Sequence, residues 1–518
     1  MIRYDLDDPF AALMDRVVIQ SLAPNFDCLT RAQQGYLVAF VERLAPQERN
    51  SVLEDIGADF TGLAPELQQR LVALVEGLED AEHRGLAMEG LGAGVARAAP
   101  ELQERLVAIA EGLDDLDRAS ALWGLGANLA GLAPELQRRL IALAEGVEGA
   151  EGRVLVLRGL RVAGVAPELQ ERLFVLADSI DEPQYRAWAL EAFGAGVARL
   201  APALQHRLVL LAEGLVRQAD RASVLRSLGV GVGGLEPDLQ RRLLAIAEGL
   251  RWSADRAAAL EAFGAGVARL APELQWRLVT LAEGLVLRTA RISALRGLGA
   301  GVAGLERGLQ RRLVAIAEGL VAPADRASAL EGLGANLAGF APELQEHLVA
   351  LAARLPPVHR AAALRGIGAG VAALAPELQE RLLDLAERLD QSADRASALE
   401  GLAAGVAELA PELQERLVAI AERVDQSADR TSALEGLGAG VAGFSAELQE
   451  RVVALAEGLA EPADRVSALR ALRTGNAGFS PELQRRIVAL ANGFAEPAHR
   501  ARALAGLLLG LPQTLSRP

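Results

Sequence analysis

The sequence predicts an all-α fold: a right-handed α-solenoid of about fourteen two-helix repeats of 33–35 residues with terminal caps. Three observations predict it. One glutamine recurs at this spacing, apolar residues within each unit return every three or four positions, and no alternating β pattern interrupts them. The right-handed sense follows the general habit of such arrays. The recurring glutamines are Gln34, Gln68, Gln103, Gln137, Gln170, Gln205, Gln240, Gln275, Gln310, Gln345, Gln379, Gln414, Gln449 and Gln484.

The repeats divide the chain into three predicted segments. Residues 1–28 form an N-terminal helical cap, residues 29–511 form the tandem array, and residues 512–518 form a polar C-terminal tail. A terminal repeat without a polar outer face is adhesive. We therefore expect either a homo-oligomer contact through the C-terminal repeat or partner docking at Leu507, Leu508 and Leu509.

The first helix of each unit begins at a proline in most copies. Proline suits the first helical position because the N–H that it lacks has no helical partner there. The apolar residues that follow lie on one helical face. Gly77, near the end of this helix, is predicted to close it in a left-handed conformation. The apolar positions in this copy are Leu67, Leu71, Leu74, Val75 and Leu78.

The second helix follows a short polar loop and is predicted at residues 324–339 in one copy. Gly332, Gly334 and Gly339 lie within it, although glycine costs about 1 kcal/mol relative to alanine inside a helix. Something must offset that cost in most repeats. We expect neighbouring helices to approach closely through small side chains, with a frayed second helix as the alternative.

Charged positions recur as regularly as the apolar ones. An arginine such as Arg84 opens the second helix in every unit, and an acidic residue such as Glu76 lies eight positions after the glutamine in most of them. We expect this arginine and carboxylate to pair bidentately within or between repeats, with an arginine stripe for anionic ligands as the alternative. A second arginine series, two positions after the glutamine, includes Arg70 and Arg105.

Positions at which the copies differ are the candidate binding positions. Residues that every copy retains hold an array together, whereas exposed residues that vary are free to adapt to a ligand. The variable positions follow the glutamine in the first helix and precede a glycine in the second helix. The candidate binding residues are Arg138, His206, Trp252, Trp276, Arg296, Glu331 and Arg365.

Amino-acid composition restricts the classes of binding partner and suggests a cellular location. A formal net charge of -15 opposes binding to a polyanion, so nucleic acid is a disfavoured partner, and a nucleic-acid-binding repeat protein is the weaker alternative. No apolar run reaches the roughly 18 residues of a membrane span. All 53 basic residues are Arg and none is Lys. A GC-rich genome with duplication of a Lys-free unit explains this, and avoidance of ubiquitin attachment is the alternative. We expect a bacterial cytoplasmic protein, with secretion into a host cell as a further expectation.

Catalytic and metal-binding patterns are lacking in the sequence. The five histidines are scattered without the spacing of a helical metal pair. Three of them, His83, His359 and His499, share the position before the invariant arginine and predict a polar turn. The single cysteine, Cys28, excludes an intramolecular disulfide. We predict no enzyme, no cofactor and no metal. A helical-repeat enzyme with a catalytic site on the concave face is the alternative.

The repeat resembles known families. The segment Ala-Asp-Arg-Ala-Ser-Ala-Leu-Glu-Gly-Leu-Gly at residues 324–334 resembles the second helix of HEAT-like repeats. That resemblance implies a protein–protein interaction scaffold, and the missing lysine adds the prediction of a bacterial type III secreted effector. Leu-Ala-Pro-Glu-Leu-Gln also resembles the start of DNA-reading repeats in plant-pathogen effectors. Their hypervariable pair followed by glycines and lysine is absent here.

Overall fold

The computed structural model describes residues 31–503 apart from 46–48, 50, 51, 54, 55, 57–59, 93, 195, 439, 473–477, 497, 498, 501 and 502. These residues form 26 α-helices and no β-strand, which confirms the predicted all-α repeat. The predicted cap at residues 1–28, Cys28, the leucines at 507–509 and the tail at 512–518 lie outside the described residues. None of the described helices is long and apolar enough to cross a membrane.

The first helices begin at proline in most repeats and bury the predicted apolar face. Leu71 and Val75 are fully buried in one copy, and the chain enters each helix from an extended residue such as Ala64. The first helices are Arg31–Arg43, Pro65–Glu76, Pro100–Glu111, Pro134–Glu145, Pro167–Asp178, Pro202–Gly214, Pro237–Glu248, Pro272–Glu283, Arg307–Glu318, Pro342–Ala353, Pro376–Glu387, Pro411–Glu422, Ala446–Glu457 and Pro481–Asn492.

The second helices are shorter than predicted. The helix expected at residues 324–339 is Pro323–Gly334, and a separate 3₁₀ helix, Leu337–Gly339, follows it. Asn336 breaks the helix because its backbone lies at φ -122° and ψ 30°. The second helices are Ala81–Gly92, Asp115–Gly126, Ala150–Gly159, Pro183–Glu191, Gln218–Gly229, Ser253–Gly264, Arg288–Ala300, Pro323–Gly334, Pro357–Gly368, Ser392–Leu402, Ser427–Gly438 and Pro462–Ala471.

A 3₁₀ helix precedes twelve of the described first helices. These turns are Phe60–Gly62, Val95–Arg97, Leu129–Gly131, Val162–Gly164, Val197–Arg199, Val232–Gly234, Val267–Arg269, Val302–Gly304, Leu337–Gly339, Val371–Ala373, Ala403–Glu408 and Val441–Gly443.

Glycine lets neighbouring second helices pack backbone against backbone, as the sequence predicted. A Cβ atom on Gly334 would lie 2.7 Å from the backbone nitrogen of Ile367 and 2.8 Å from its Cα. Both distances are shorter than van der Waals contact. This close packing offsets the low helix propensity of glycine, because any larger residue at position 334 would push the two helices apart.

The predicted left-handed closure of the first helix is wrong. Gly77 lies at φ -79° and ψ -3°, which any residue adopts. Gly77 thus keeps a right-handed backbone conformation, and the next residue, Leu78, packs into the core. Arg354, Arg388 and Arg423 occupy the same position in other copies, as a right-handed conformation allows.

The recurring glutamine bonds to the turn of its own repeat in most copies, and at Gln34, Gln170 and Gln310 it also bonds to the next repeat. The Gln310 amide donates to the carbonyls of Val302 and Leu305 at 3.1 and 3.2 Å and to that of Gly339 at 3.2 Å. Its oxygen accepts from the N–H of Ala341 at 2.9 Å. One side chain thus satisfies backbone groups on both sides of the boundary between repeats.

The charged positions form a ladder with a different pairing from the predicted one. The carboxylate at the end of the first helix pairs bidentately with the second arginine series of the following repeat at nine of the described boundaries. In most repeats the invariant arginine near the start of the second helix instead donates to backbone carbonyls, as Arg326 does to Leu320 at 2.8 Å. The nine bidentate pairs are Glu42–Arg70, Glu76–Arg105, Glu111–Arg139, Glu145–Arg172, Glu213–Arg242, Glu248–Arg277, Glu283–Arg312, Glu422–Arg451 and Glu457–Arg486.

Two exceptions to the ladder follow from a changed side chain. Asp178 is one methylene shorter than the usual glutamate, and Arg207 pairs with Glu171 instead. Where the arginine is replaced by His347, its Nε2 lies 3.5 Å from the Glu318 carboxylate. The loop arginine has carbonyls within reach because the first helix ends with unpaired C=O groups beside it.

The described chain divides into two compact units, with the boundary between Ile246 and Ala247. Within each unit the first helices contact first helices and the second helices contact second helices of the neighbouring repeats. This sequential packing is that of an α-solenoid.

Candidate interaction surfaces

The first-helix candidates lie on exposed helical surfaces. In the first unit, the Arg138 guanidinium is 3.1 Å from the Glu135 carboxylate one turn earlier. The Nδ1 atom of His206 is 3.0 Å from the carbonyl oxygen of Pro202. Both contacts stay within one helix and cross no repeat boundary. These two side chains are therefore not needed to join neighbouring repeats.

Trp276, in the second unit, is held in one orientation although its side chain is exposed. Its indole Nε1 donates to the carboxylate of Glu306 at 2.8 Å. The guanidinium carbon of Arg312 lies 4.5 Å from the ring centroid, within the range of a cation–π interaction. Arg312 is itself fixed by two hydrogen bonds to Glu283. Residues of the next repeat thus orient this tryptophan before any ligand arrives.

A groove borders Trp276. It has a volume of about 310 Å³ and is lined by Glu248, Trp276, Arg277, Thr280, Leu281 and Gly284. The Glu248–Arg277 ion pair forms its polar wall, with N–O distances of 2.9 and 2.6 Å. The groove therefore combines one large aromatic surface with polar groups that already have partners.

The second-helix candidates form a stripe across three consecutive repeats. The Arg365 guanidinium donates to Glu331 at 2.8 Å and lies 3.6 Å from Glu400 in the following repeat. These carboxylates raise the pKa of Arg365 above its usual range, chiefly through the hydrogen bond to Glu331. Arg296 is exposed one repeat earlier. The structure brings Glu331 and Arg365 together in a stripe of alternating charge.

Trp252 lies elsewhere, in the loop before the helix Ser253–Gly264. Its side chain is 59% exposed, and the guanidinium of Arg251 lies 5.4 Å from its ring centroid. The next two repeats carry further exposed apolar residues in the equivalent loops, Val286, Leu287 and Val321, and Val358 is exposed in the first turn of the helix Pro357–Gly368. These residues were not predicted from the sequence, although the loops of other copies contain acidic residues such as Asp390 and Asp425.

Metal ligation has no support within the described residues, where no three His, Cys, Asp or Glu side chains are grouped as ligands. The three histidines predicted in a polar turn lie instead in the first turn of the second helix. His83 Nδ1 is 3.6 Å from Asp80, and His499 Nδ1 is 2.9 Å from Glu496. His83 and His499 thus each have a carboxylate close by in the preceding loop, whereas the loop before His359, residues 354–356, contains none.

Comparison with known proteins gives structural matches only. No protein-family model matches the chain, and no curated protein matches its sequence. Among solved structures it is similar to Kap121p, with 12% identity, a TM-score of 0.40 and coverage of 96% of this chain and 56% of that protein. The karyopherin Kap121p bound to the extreme C-terminus of the protein phosphatase Cdc14p gives 12% identity, a TM-score of 0.40, and coverage of 95% and 67%. The chain spans little more than half of Kap121p, and the solenoid assignment rests on the helix packing described above.

Proposed function

We propose that this protein is a non-enzymatic scaffold that binds other proteins through the positions at which its repeats differ. One observation carries the proposal. The recurring polar side chains are used within the array, in the glutamine contacts and the Arg–Glu ladder, whereas Trp276 presents a fixed aromatic surface beside a groove. Tryptophan and arginine are enriched among the residues that dominate protein–protein binding energies.

The geometry at Trp276 favours binding for an entropic reason. Ordering a free side chain at an interface costs about 0.5–1.5 kcal/mol. Glu306 and Arg312 already hold this indole, so less of that cost remains when a partner binds. The charge stripe at Glu331 and Arg365 adds polar groups that select a partner by electrostatic complementarity.

The test compares Trp276→Ala with a matched exposed position. Full-length wild type, Trp276→Ala and Val175→Ala are immobilised and incubated with bacterial and eukaryotic extracts, and retained proteins are quantified by mass spectrometry. Recovered candidates are then purified and titrated. We expect a saturable partner whose affinity falls at least tenfold in Trp276→Ala and is unchanged in Val175→Ala. Equal binding by all three proteins, or no saturable partner, would contradict the proposal.

The biological setting that we propose is a bacterial protein delivered into a eukaryotic cell. The absence of lysine among 53 basic residues supports it, because ubiquitin attaches chiefly to lysine. A GC-rich genome accounts for the same composition without delivery. Secretion under conditions that activate a type III apparatus tests the delivery directly, and failure to enter host cells would remove this setting while leaving the scaffold.

A second experiment addresses the reason for the missing lysine. Several exposed arginines, beginning with Arg311, are replaced by lysine, and the half-life of the protein is measured in eukaryotic cells. If lysine is avoided because of ubiquitin, the lysine variant turns over faster, and proteasome inhibition restores its half-life. An unchanged half-life favours codon composition.

A further inference from the structure

One arginine of the ladder has no carboxylate partner. From Arg70 to Arg486, every other described residue at this position of the ladder lies within 3.5 Å of a carboxylate. Arg381 is exposed, and no described residue forms an ion pair or a hydrogen bond with its guanidinium. The position of the missing carboxylate, at the end of the preceding first helix, is Ala353. We call the surface between Ala353 and Arg381 the unpaired ladder position.

A second change at the same boundary adds a positive charge. Arg354 directly follows Ala353, is exposed, and has no ion pair with a described residue. Most other copies have glutamate and glycine at these two positions, and no other copy combines loss of the acidic residue with gain of an arginine. The boundary thus loses one negative charge and gains one positive charge.

The paired copies show which chemical group this position accepts. In them, Nε and Nη2 of the arginine donate to the two oxygens of one glutamate, as Arg277 does to Glu248 at 2.9 and 2.6 Å. A guanidinium presents these donors in a planar fork that matches a carboxylate. Arg381 lies at the same helical position, two residues after the recurring glutamine. It can therefore hold a carboxylate in the same way when another molecule supplies one.

Two acidic residues near Arg381 in the repeat pattern, Glu346 and Glu377, do not exclude a further carboxylate. Arg451 has glutamates at the same two positions, and both interact with it electrostatically. Arg451 nevertheless donates to Glu422 at 2.8 Å through both Nε and Nη2. The array therefore accepts a carboxylate at this position in the presence of both acidic neighbours.

We propose that a glutamate side chain of a partner protein binds at the unpaired ladder position, held by Arg381 with Arg354 beside it. This inference rests on the proposed scaffold function and names a second contact for the partner that binds at Trp276. Trp276 and Arg381 lie on first helices of the same unit, three repeats apart. Packed helices lie about 8–10 Å apart, so the two contacts are about 24–30 Å apart. A partner helix of about 16–20 residues covers that distance.

The test selects peptides that need this position. A phage-displayed library of random peptides, each about 20 residues long to match that helix, is depleted on full-length Ala353→Glu, in which the chain supplies its own carboxylate to Arg381. The remaining phage are selected on full-length wild type. Enriched peptides are synthesised with an amidated C-terminus and titrated against wild type, Ala353→Glu and Arg381→Gln. Each peptide is also made with glutamine, and with phosphoserine, in place of each glutamate.

Two control variants carry the same charge changes elsewhere in the second unit. Ala419→Glu adds a carboxylate to a first helix whose ladder pair, Glu422–Arg451, is complete. Arg269→Gln removes an exposed arginine from the turn Val267–Arg269. Circular dichroism confirms that all variants fold.

The proposal predicts peptides with one required glutamate, whose affinity falls at least fivefold for Ala353→Glu, for Arg381→Gln and for the glutamine peptide, and is unchanged for both controls. No enriched peptide, equal binding by either ladder variant, or full tolerance of glutamine would overturn it. Tighter binding of the phosphoserine peptide would overturn the assignment to a carboxylate. If partners recovered from extracts still depend on Trp276 in any of these cases, the scaffold function stands and only the second contact fails.

Discussion

Replacing one buried glutamine should uncouple two neighbouring repeats. Gln310 is 4% exposed and makes hydrogen bonds on both sides of a repeat boundary. Gln310→Met preserves the approximate size and removes the amide. The buried N–H of Ala341 donates to the side-chain oxygen of Gln310 and loses that acceptor in the variant.

The size of the effect follows from these contacts. An unsatisfied buried backbone group costs about 1–3 kcal/mol, and each lost hydrogen bond contributes about 1 kcal/mol. We expect Gln310→Met to lower the free energy of unfolding by about 2–4 kcal/mol. Gln345, at the same position in the next repeat, is less buried, and its two hydrogen bonds, to Ala338 and Phe340, stay within its own repeat. Gln345→Met should therefore cost only about 1 kcal/mol.

Urea denaturation followed by circular dichroism measures the loss, and hydrogen exchange with mass spectrometry locates it. Repeat arrays unfold in segments, so the exchange data are needed to assign the change to one boundary. The reasoning predicts faster exchange in peptides that cover residues 302–341 of Gln310→Met. Equal losses in the two variants, or no change at that boundary, would refute it.

Two further predictions concern helix packing and pH. Gly334→Ala should destabilise the protein by about 1–3 kcal/mol, because its Cβ meets the neighbouring helix backbone. Gly308→Ala should be neutral or stabilising by up to about 1 kcal/mol, because its Cβ would lie 3.4 Å from the Glu306 carboxylate and contact no neighbouring helix backbone. Urea denaturation midpoints that shift equally in the two variants would contradict this prediction. The hydrogen bond from Arg451 lowers the pKa of Glu422. The ion pair therefore stabilises the fold above the usual glutamate pKa, and this stabilisation is lost as the pH falls through the lowered pKa of Glu422. The stability difference between wild type and Arg451→Gln, less than about 1 kcal/mol for this partly exposed pair, should shrink between pH 5 and pH 3; a constant difference would contradict the assignment.

The repeat itself could be predicted from sequence because its signals are local. Proline at the start of Pro65–Glu76 and the spacing of its leucines act within one helix. Breaking of the second helix at Asn336 was missed, since the apolar spacing continues across the break into Leu337–Gly339. Sequence spacing does not reveal a change in backbone conformation that preserves the apolar face.

Pairing between repeats was harder to predict. Glu76 has Arg84 nearer in sequence, yet it pairs with Arg105 of the following repeat. The first helices lie side by side, which brings Glu76 at the end of one within reach of the Arg105 side chain from the middle of the next.

The sequence predicted some of the exposed candidate residues but not the contacts that orient them. Trp276 was identified from its variation between copies, but its orientation by Glu306 and Arg312 depends on contacts about thirty residues away. The exposed residues Val286, Leu287, Val321 and Val358 were overlooked because a single exposed valine or leucine is common on a protein surface.

Site-specific photo-crosslinking in living cells tests the central claim most directly. A photoreactive amino acid replaces Trp276 in one variant and Val175 in another, in the full-length chain. The scaffold account predicts a covalent adduct with a specific partner protein at position 276 and none, or far less, at position 175. The same adducts in equal yield at both positions, or none at position 276, would contradict it.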